Sequence, residues 1–314
     1  MPHRIVLAGG SGFLGQALAR ALAARGCEVT VLSRHPRPAA GSVGWVAWDG
    51  ATPGEWSRTL EGADAVVNLT GRSVNCVHNE RNRHEILVSR VASVHALGQA
   101  LAGCRRPPAV WVQGGSLAIY GNAGDRVCTE AAPAANDFSA QVCRAWEAAF
   151  AAVPAPATRK VLFRIGIVLG RGGGGLVPLE RLARRFLGGT VGSGRQHVSW
   201  LHLADMTELF VAALADRGFS GVYNATSPHP VTNAAFMRAL RRAVGRPWSP
   251  PAPAWAVRIG ARWFLRTDAD LALTGRRAVP ARLLETGFRF RFPELQPALA
   301  DLFARPAAAA TERA

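Results

Sequence analysis

Short apolar segments alternate with longer segments of helical character through the first half of the chain. The helical segments are Gln16–Arg25, Glu80–Leu101 and Phe138–Ala152. The apolar segments have the length and composition of buried strands: Ile5–Ala8, Glu28–Ser33, Val43–Trp48, Ala65–Gly71, Ala109–Ser116 and Val161–Leu169. This alternation predicts the α/β class, with a doubly wound parallel sheet that binds ligands at the carboxyl ends of its strands.

The regular alternation stops after Gly170, where glycine-rich segments and a proline-rich break at 247–253 interrupt the pattern. We expect residues 1–169 to form a Rossmann-type nucleotide-binding domain, with 199–225 returning to it through a helix and a short strand. Residues 170–198 and 226–304 are then a smaller C-terminal α+β substrate subdomain. Residues 305–314 are expected to be a frayed tail.

A glycine-rich turn follows the first predicted strand and leads directly into a helix. Gly9, Gly12 and Gly15 have the spacing that permits a tight turn, close approach of a pyrophosphate and close packing of helix on strand. The amino end of the helix adds free N–H groups and a positive dipole for an anion. A turn that binds nothing is the alternative. We assign the whole turn to a dinucleotide: Gly9, Gly10, Ser11, Gly12, Phe13, Leu14 and Gly15.

The end of the second predicted strand indicates which dinucleotide is bound. An NAD enzyme carries an acidic residue there, whereas this chain has Ser33 and Arg34. A hydroxyl and a guanidinium can bind a 2′-phosphate, so we predict NADP(H), the alternative being a solvated Arg34. Further residues, most of them at the ends of later strands, complete the predicted cofactor site: Asn68, Leu69, Thr70, Gly71, Arg90, Gly114 and Arg164.

The composition limits the classes of binding partner that we expect, and it does not change the predicted fold. The formal charge is +16, but the arginines are scattered and Lys160 is the only lysine. This favours a basic surface that attracts an anionic cofactor or small-molecule substrate over nucleic acid. The sequence lacks an apolar run of the ~18 residues that a membrane span needs, so we expect no membrane association.

Cysteine and histidine spacing argues against a metal site. The five cysteines are widely separated and form no C-x-x-C pair, which is typical of reduced thiols, and we expect a cytoplasmic protein. His84-Glu85 is not followed by the second histidine of a zinc motif. We expect a monomer or a homodimer with no bound metal.

In order along the chain, these motifs resemble the extended short-chain dehydrogenase/reductase superfamily. The resemblance is to its atypical branch of epimerase-like proteins that carry a C-terminal domain of unknown function. It covers nearly the whole chain and rests on elements such as Gly9–Gly15, 67–71, 143–147, 163–170 and 199–202. It implies nucleotide binding and hydride transfer on a carbonyl or sugar-like compound.

The resemblance also exposes a missing catalytic pair. The superfamily uses a tyrosine and a lysine four residues later, but the residues four beyond Tyr120 and Tyr223 are Gly124 and Ser227. Counting back from Glu147 puts Cys143 at the place of the lysine. Tyr120, Cys143 and His202 are weaker candidates for the proton donor than Ser116 is for substrate positioning. The alternatives are a packing aromatic for Tyr120, a core thiol for Cys143 and a structural role for His202.

Ser116 is the first candidate for positioning the substrate carbonyl. It stands at the end of a predicted strand and four residues before Tyr120, where relatives carry a serine that binds the reacting group. A serine held by backbone is the alternative. Arg164, Arg195 and Gln196 are candidates for contacting an anionic substrate, and Asp205 for capping the helix that starts near Ala204.

Three functions are compatible with this sequence. The first is an NADP(H)-dependent reductase or epimerase with an unorthodox proton donor, and the second is a non-catalytic NADP(H)-binding sensor or interaction protein. The third is a serine hydrolase, because 114–118 nearly matches G-x-S-x-G; Ala118 replaces the last glycine, so this interpretation is the weakest.

Overall fold

The computed structural model of the chain describes residues 2–304, apart from the side chains of residues 264 and 265. The predicted tail, 305–314, lies outside the described residues. The strands in chain order are β1 (Arg4–Ala8), β2 (Glu28–Ser33), β3 (Val43–Ala47), β4 (Ala65–Asn68), β5 (Val110–Ser116), β6 (Val127–Cys128), β7 (Arg159–Ile165), β8 (Ile167–Gly170), β9 (Gly173–Gly174), β10 (His197–Val198), β11 (Trp200–His202), β12 (Gly221–Ala225), β13 (Val231–Thr232) and β14 (Arg277–Ala278).

The α-helices are α1 (Phe13–Ala23), α2 (Glu80–Ala102), α3 (Phe138–Ala152), α4 (Leu176–Arg184), α5 (Leu203–Ala215), α6 (Asn233–Ala243), α7 (Ala254–Gly260), α8 (Asp270–Leu273), α9 (Ala281–Glu285) and α10 (Leu295–Phe303). Short 3₁₀ turns cover Glu55–Leu60 and Leu117–Tyr120, and a π turn, Ala261–Leu265, follows α7.

The central sheet has seven strands in the order β12-β7-β5-β4-β1-β2-β3. Every neighbouring pair in it is parallel. The chain runs outward from β1 through β2 and β3, then returns to the other side of β1 as β4, so the strand order reverses there. This confirms the doubly wound parallel sheet, and it puts a ligand crevice at the carboxyl ends of β1 and β4.

Helices cover both faces of this sheet because its strands are apolar on both sides. On one face α1 and α5 pack on the strands through residues such as Leu18, Leu22 and Leu209. On the other face α2 and α3 pack through Val94, Leu97 and Phe150. Strands buried on both faces account for the nearly continuous apolar runs that the sequence shows.

The C-terminal region adds small sheets and a core of its own. β8 pairs with β11 and β9, β10 pairs with β13, and β14 pairs with β6. The core of this region packs α4, α6 and α10 around side chains that include Leu169, Phe236, Leu240 and Leu299.

The prediction of one continuous strand over Val161–Leu169 is wrong. The chain leaves the central sheet after Ile165 and continues as β8 in a different sheet. Gly166 forms the break, and a Cβ there would lie 2.7 Å from the carbonyl oxygen of Ser199. A glycine within an apolar run was the only signal of this change of sheet.

Candidate functional site

The turn between β1 and α1 has space for glycine alone at two positions. Gly9 has φ +75°, and a Cβ on it would lie 2.7 Å from the backbone carbon of Leu69. A Cβ on Gly15 would lie 2.4 Å from the Cα of Gly10. Real Cβ contacts are not this short, so the turn packs against the end of β4 and against α1 at the closest approach that a backbone allows.

The amino end of α1 is open. Gly12 is the N-cap and offers no side chain to the first-turn N–H groups, and that turn contains no acidic residue. A cavity of about 220 Å³ lies over this helix end, lined by the glycine turn, Leu69, Gly114, Gly115 and Trp146 among others. Free N–H groups and a positive helix end facing a cavity suit a phosphate group.

Phe13 and Leu14, the first two residues of α1, have different contacts. Leu14 lines the cavity together with the glycines. The Phe13 ring also packs against a loop further along the chain, where a Cβ on Gly173 would lie 2.2 Å from its Cδ2 atom. Gly173 and Gly174 therefore leave room for Phe13, which anchors the start of α1.

Ser33 and Arg34 lie at the carboxyl end of β2, which pairs with β1. Ser33 is buried, and its hydroxyl oxygen accepts a hydrogen bond from the His35 backbone N–H at 3.2 Å. Arg34 is exposed and, within residues 2–304, forms no hydrogen bond or ion pair. Its free guanidinium suits a 2′-phosphate, while Ser33 shapes the turn.

The Asn68 side chain is bonded to other protein groups and does not open onto the cavity. Its side chain is fully buried, and its amide donates to Ser93 Oγ at 3.2 Å and to Gln113 Oε1 at 3.1 Å. Its Oδ1 accepts from the Thr70 backbone N–H at 3.0 Å. Asn68 therefore fixes the Leu69–Gly71 turn from behind, and its polar atoms do not face the cavity.

Arg164 is committed to other protein groups. Its guanidinium donates to both carboxylate oxygens of Glu147 at 2.8 Å, and to the hydroxyl of Tyr120 at 2.8 Å. Glu147 raises the pKa of Arg164 against the opposing effect of burial, so this arginine stays charged. The expected cofactor and substrate contacts of Arg164 thus conflict with its pairing, which neutralises its charge and uses its fork of donors.

Tyr120 is buried inside the same cluster. Its hydroxyl lies 2.8 Å from Asn224 Oδ1 and 2.9 Å from the Thr129 carbonyl oxygen, and burial raises its pKa. The ring is 1% exposed. The Tyr120 hydroxyl is bonded to protein groups and does not reach the cavity. This argues against Tyr120 as a proton donor.

Cys143 belongs to a buried cluster that includes Leu117, Tyr120 and Cys128. It is 4% exposed, and burial raises the pKa of its thiol to about 12. The thiol stays protonated at neutral pH. This burial argues against a part for Cys143 in proton exchange.

His202 starts α5 rather than lining the cavity. Its Nδ1 accepts from the Ala204 backbone N–H at 3.1 Å, so Nε2 carries the hydrogen and faces Asp301 Oδ2 at 3.3 Å. The ring packs on Phe292 with centroids 4.1 Å apart, and burial lowers its pKa. His202 is therefore the cap of α5, in place of the predicted Asp205.

Asp205 was wrongly predicted as a cap. Its carboxylate is buried and accepts from the backbone N–H groups of Arg291 at 2.6 Å and Phe292 at 3.0 Å. It joins α5 to the chain segment before α10. Sequence could not give these partners, since they lie more than eighty residues away.

Ser116 is the one candidate protic side chain that remains half-buried at a strand end. It is the last residue of β5, next to Gly115, which lines the cavity. Its Oγ accepts from the Ala118 backbone N–H at 3.2 Å. In the part of the chain that the structure describes, its hydroxyl hydrogen has no acceptor, so it can donate to a ligand.

The residues predicted to contact an anionic substrate differ in whether their donor groups are already used by the protein. Gln196 donates through Nε2 to the carbonyl oxygens of Val191 at 2.9 Å and Ala272 at 3.1 Å, so its donors are used. Arg195 is exposed and lies 3.7 Å from the Asp125 carboxylate.

Trp146 is a cavity residue that we did not single out from the sequence. It stands three residues after Cys143 on α3, lines the cavity, and has the Arg90 guanidinium 5.2 Å from its ring centre. Its place in the 143–147 motif was the available signal.

Among residues 2–304 no group of His, Cys, Asp and Glu side chains could hold a metal ion. The same residues include no helix long and apolar enough to cross a bilayer.

Two family profiles match the chain. The NAD dependent epimerase/dehydratase family matches residues 5–225. A domain of unknown function, DUF1731, matches residues 252–302. Epimerase family protein SDR39U1 of Mus musculus is 37% identical over 307 residues, which are 96% of this chain and 100% of the mouse protein.

Solved structures agree with these matches. The human SDR39U1 protein, isoform 2, crystallised with NADPH, superposes with a TM-score of 0.86 at 35% identity, covering 96% of this chain and 99% of that one. A nucleoside-diphosphate sugar epimerase from Corynebacterium glutamicum gives a TM-score of 0.77 at 30% identity, covering 96% of this chain and 58% of the other.

Proposed function

This chain belongs to the NAD dependent epimerase/dehydratase family, and we propose that it binds NADP(H) at the Gly9–Gly15 turn. The motif resemblance seen in the sequence is thereby confirmed at the level of the family. The observation that carries the proposal is the open amino end of α1, together with Arg34, which directly follows β2 and has no hydrogen-bond or charge partner among residues 2–304. The turn would hold the pyrophosphate and Arg34 the 2′-phosphate. The human relative solved with NADPH supports the same choice of cofactor.

We propose further that the chain acts as an oxidoreductase or epimerase on a small carbonyl or sugar-like compound. Bound NADP(H) supplies or accepts the hydride. Ser116 would donate a hydrogen bond to the substrate oxygen, since its hydroxyl hydrogen is free beside the cavity. The sugar epimerase relative supports a sugar-like substrate.

A non-catalytic NADP(H) sensor is the second candidate, and one specific observation favours it. Tyr120, Cys143 and His202 are each at most 4% exposed and have structural neighbours. The superfamily's usual tyrosine–lysine pair is also absent from the sequence. A sensor needs the cofactor site and no proton donor.

The serine hydrolase interpretation lacks a general base. Within residues 2–304 no histidine is hydrogen-bonded to Ser116. A serine nucleophile needs such a base to remove its proton.

Fluorescence titration with NADPH, followed by stopped-flow absorbance against a panel of carbonyl compounds, separates the two leading candidates. An enzyme oxidises NADPH with at least one compound, and Ser116→Ala lowers kcat/KM by about a hundredfold while NADPH affinity stays the same. Ser220→Ala is the matched control, because Ser220 is exposed and precedes β12, at the amino end of a parallel strand, whereas Ser116 lies at the carboxyl end of β5. Tight NADPH binding with no oxidation would favour the sensor. Unchanged turnover in Ser116→Ala would remove this serine from the chemistry.

A further inference from the structure

The helical segment that begins with α7 turns an amphipathic pattern towards solvent. Its exposed residues are spaced by three and four, which places them along one side of a helix: Trp255, Arg258, Ile259, Arg262 and Trp263. The two tryptophans are 67% and 73% exposed, and the isoleucine is 50% exposed. A stripe with this spacing normally faces a protein core. We call this open side of the helix the α7 face.

The opposite side of the same segment carries small residues and meets the protein. Ala261 is buried, and Ala256 and Val257 are half-buried. The helix continues from α7 into the π turn without a break, because Gly260 and Ala261 both have right-handed helical backbone. The small side chains therefore lie against the protein, and the largest side chains of the segment lie outside.

Contacts at both ends of the segment hold it in this orientation. Before the helix, the Ala252 N–H donates to the Thr190 carbonyl oxygen, and the Ala252 carbonyl oxygen accepts from the Gly192 N–H, each at 2.8 Å. After the helix, the Asp268 carboxylate lies 3.4 Å from His78 Nδ1. These contacts determine which side of the helix faces solvent.

More apolar side chains are exposed on the chain that leads into α7. Trp248, Phe186 and Leu187 are all exposed, and Ser249 Oγ donates to the Phe186 carbonyl oxygen at 2.6 Å, which joins the two segments. Phe186 has φ +60° just after α4, where a glycine is usual, so an aromatic side chain is kept there at a conformational cost. Large apolar side chains exposed on adjoining segments mark an interaction surface.

The charge around the α7 face has one sign. Residues 217–267 contain eight arginines and no aspartate or glutamate. Arg246 and Arg266 are exposed, as are the two arginines of the face, and Asp268 and Asp270 are the first acidic residues after the helix. A partner for this surface must therefore be negatively charged and must also accept tryptophan and isoleucine side chains.

An anionic lipid surface meets both requirements. Tryptophan is favoured at the boundary between headgroups and acyl chains, arginine is attracted to anionic headgroups, and isoleucine is stabilised by burial among acyl chains. A second copy of the chain would bring the arginines of one face against those of the other, with no acidic residue on the face to pair them. Nucleic acid bases could stack on the tryptophans, but Ile259 between them has no ring for stacking.

We propose that the α7 face docks the protein on the surface of an anionic phospholipid bilayer. Trp255, Ile259 and Trp263 insert among the headgroups, and Arg258 and Arg262 pair with lipid phosphates. This contact is peripheral, and it differs from our expectation of no membrane association, which considered only a spanning segment. The inference is independent of the proposed function, because none of the five residues lines the cofactor cavity.

The test measures how the full chain sediments with vesicles. One set contains equal parts of phosphatidylcholine and phosphatidylglycerol, and the other contains phosphatidylcholine alone. We expect binding to the anionic vesicles that weakens as salt is added, and binding to the neutral vesicles that is weaker by about tenfold or more.

Matched variants show whether the α7 face makes the contact. Ile259→Ala should weaken binding to the anionic vesicles by about fivefold to tenfold. Leu284→Ala should not change it, although Leu284 on α9 is 51% exposed against 50% for Ile259. Arg262→Gln should weaken binding by about fivefold, whereas Arg20→Gln, which removes an exposed charge on α1, should change it little.

The double variant Trp255→Ala/Trp263→Ala should weaken vesicle binding by about a hundredfold, with melting temperature and NADPH affinity unchanged. Equal vesicle binding by this variant and the unmodified chain overturns the inference. So does an unmodified chain that does not bind the anionic vesicles.

Two further measurements on the same proteins cover the other partners. Sedimentation velocity detects a dimer, and titration with a labelled single-stranded oligonucleotide detects nucleic-acid binding. A dimer or an oligonucleotide complex that the double variant abolishes, in a chain that does not bind vesicles, overturns the inference and assigns the α7 face to that other partner.

Discussion

Two regions beside the cavity, called here the first wall and the second wall, use their polar groups in opposite ways. The wall formed by Gly9–Gly15 and the end of β2 leaves its backbone N–H groups and Arg34 open. The wall around α3 pairs its polar side chains with one another, as in Arg164 with Glu147 and Tyr120. The first wall is arranged to receive a ligand, and the second is largely a packed core.

The difference shows that residue type alone does not identify a functional side chain. Tyr120 and Cys143 carry the chemistry of proton donors, yet burial and hydrogen bonding hold them within the protein. On the second wall Ser116 has a hydroxyl hydrogen with no acceptor among residues 2–304. Unused donor capacity next to a cavity is a more direct indicator of a site than chemical type.

Replacing Gly9 is the severest way to disturb the first wall. Gly9→Ala should lower the free energy of unfolding by about 4 kcal/mol, combining left-handed backbone strain with overpacking, and should abolish NADPH binding. Gly26→Ala is the matched control, because Gly26 has φ +79° but nothing within 4 Å of its Cβ position. It should cost only about 1 to 2 kcal/mol. Equal losses in urea unfolding would mean that close packing on Leu69 is unimportant.

Breaking the ion pair between Arg164 and Glu147 tests whether the second wall is a packed core. The side chains of Arg164 and Glu147 are 11% and 16% exposed. Arg164→Met should therefore lower the free energy of unfolding by about 3 kcal/mol by leaving a buried carboxylate unpaired. The double variant Arg164→Met/Glu147→Met should recover part of this loss.

A surface pair provides the control for that experiment. Arg184, paired with Glu180, is 53% exposed, so Arg184→Ala should cost less than about 1 kcal/mol. Urea unfolding measures all of these variants. If Arg164→Met kept full stability but bound NADPH weakly, the arginine would belong to the ligand-binding wall.

The smallest effect concerns pH and His202. Burial holds the pKa of His202 below its ordinary value, despite the nearby Asp301 and in the direction favoured by Arg291 and Arg171. The unfolded chain therefore takes up this proton more readily. Stability from His202 is present above about pH 6.5 and is lost as pH falls below it.

His202→Asn keeps a side chain able to cap α5 but removes the titrating ring. Melting temperatures measured from pH 7 to pH 5 should fall less steeply for this variant than for the unmodified chain. A steeper or identical fall would mean that His202 does not contribute to acid destabilisation.

Sequence reasoning predicted the first wall well because its signals are local. The strands, the glycine spacing and Arg34 lie within some thirty residues, and β2 has the bounds expected of it. Glycines needed for close approach and positive φ cannot be replaced, so the pattern is visible in the chain itself.

The second wall depends on distant contacts that no local pattern contains. Tyr120 meets Asn224, and Arg276 meets Gly121, more than a hundred residues away. The same limit explains Asp205, which binds the backbone before α10 instead of capping α5. Tertiary contacts decide whether such a polar side chain is open or paired.

The central claim, that the open wall binds NADP(H) through its free charge, is tested most directly by the ratio of NADH to NADPH dissociation constants. Arg34→Ala should weaken NADPH binding by about tenfold to a hundredfold and leave NADH binding unchanged. Arg217→Ala is the control, since Arg217 is exposed in the loop before β12, at the opposite edge of the sheet. It should change neither constant. An unchanged ratio in Arg34→Ala would contradict the account.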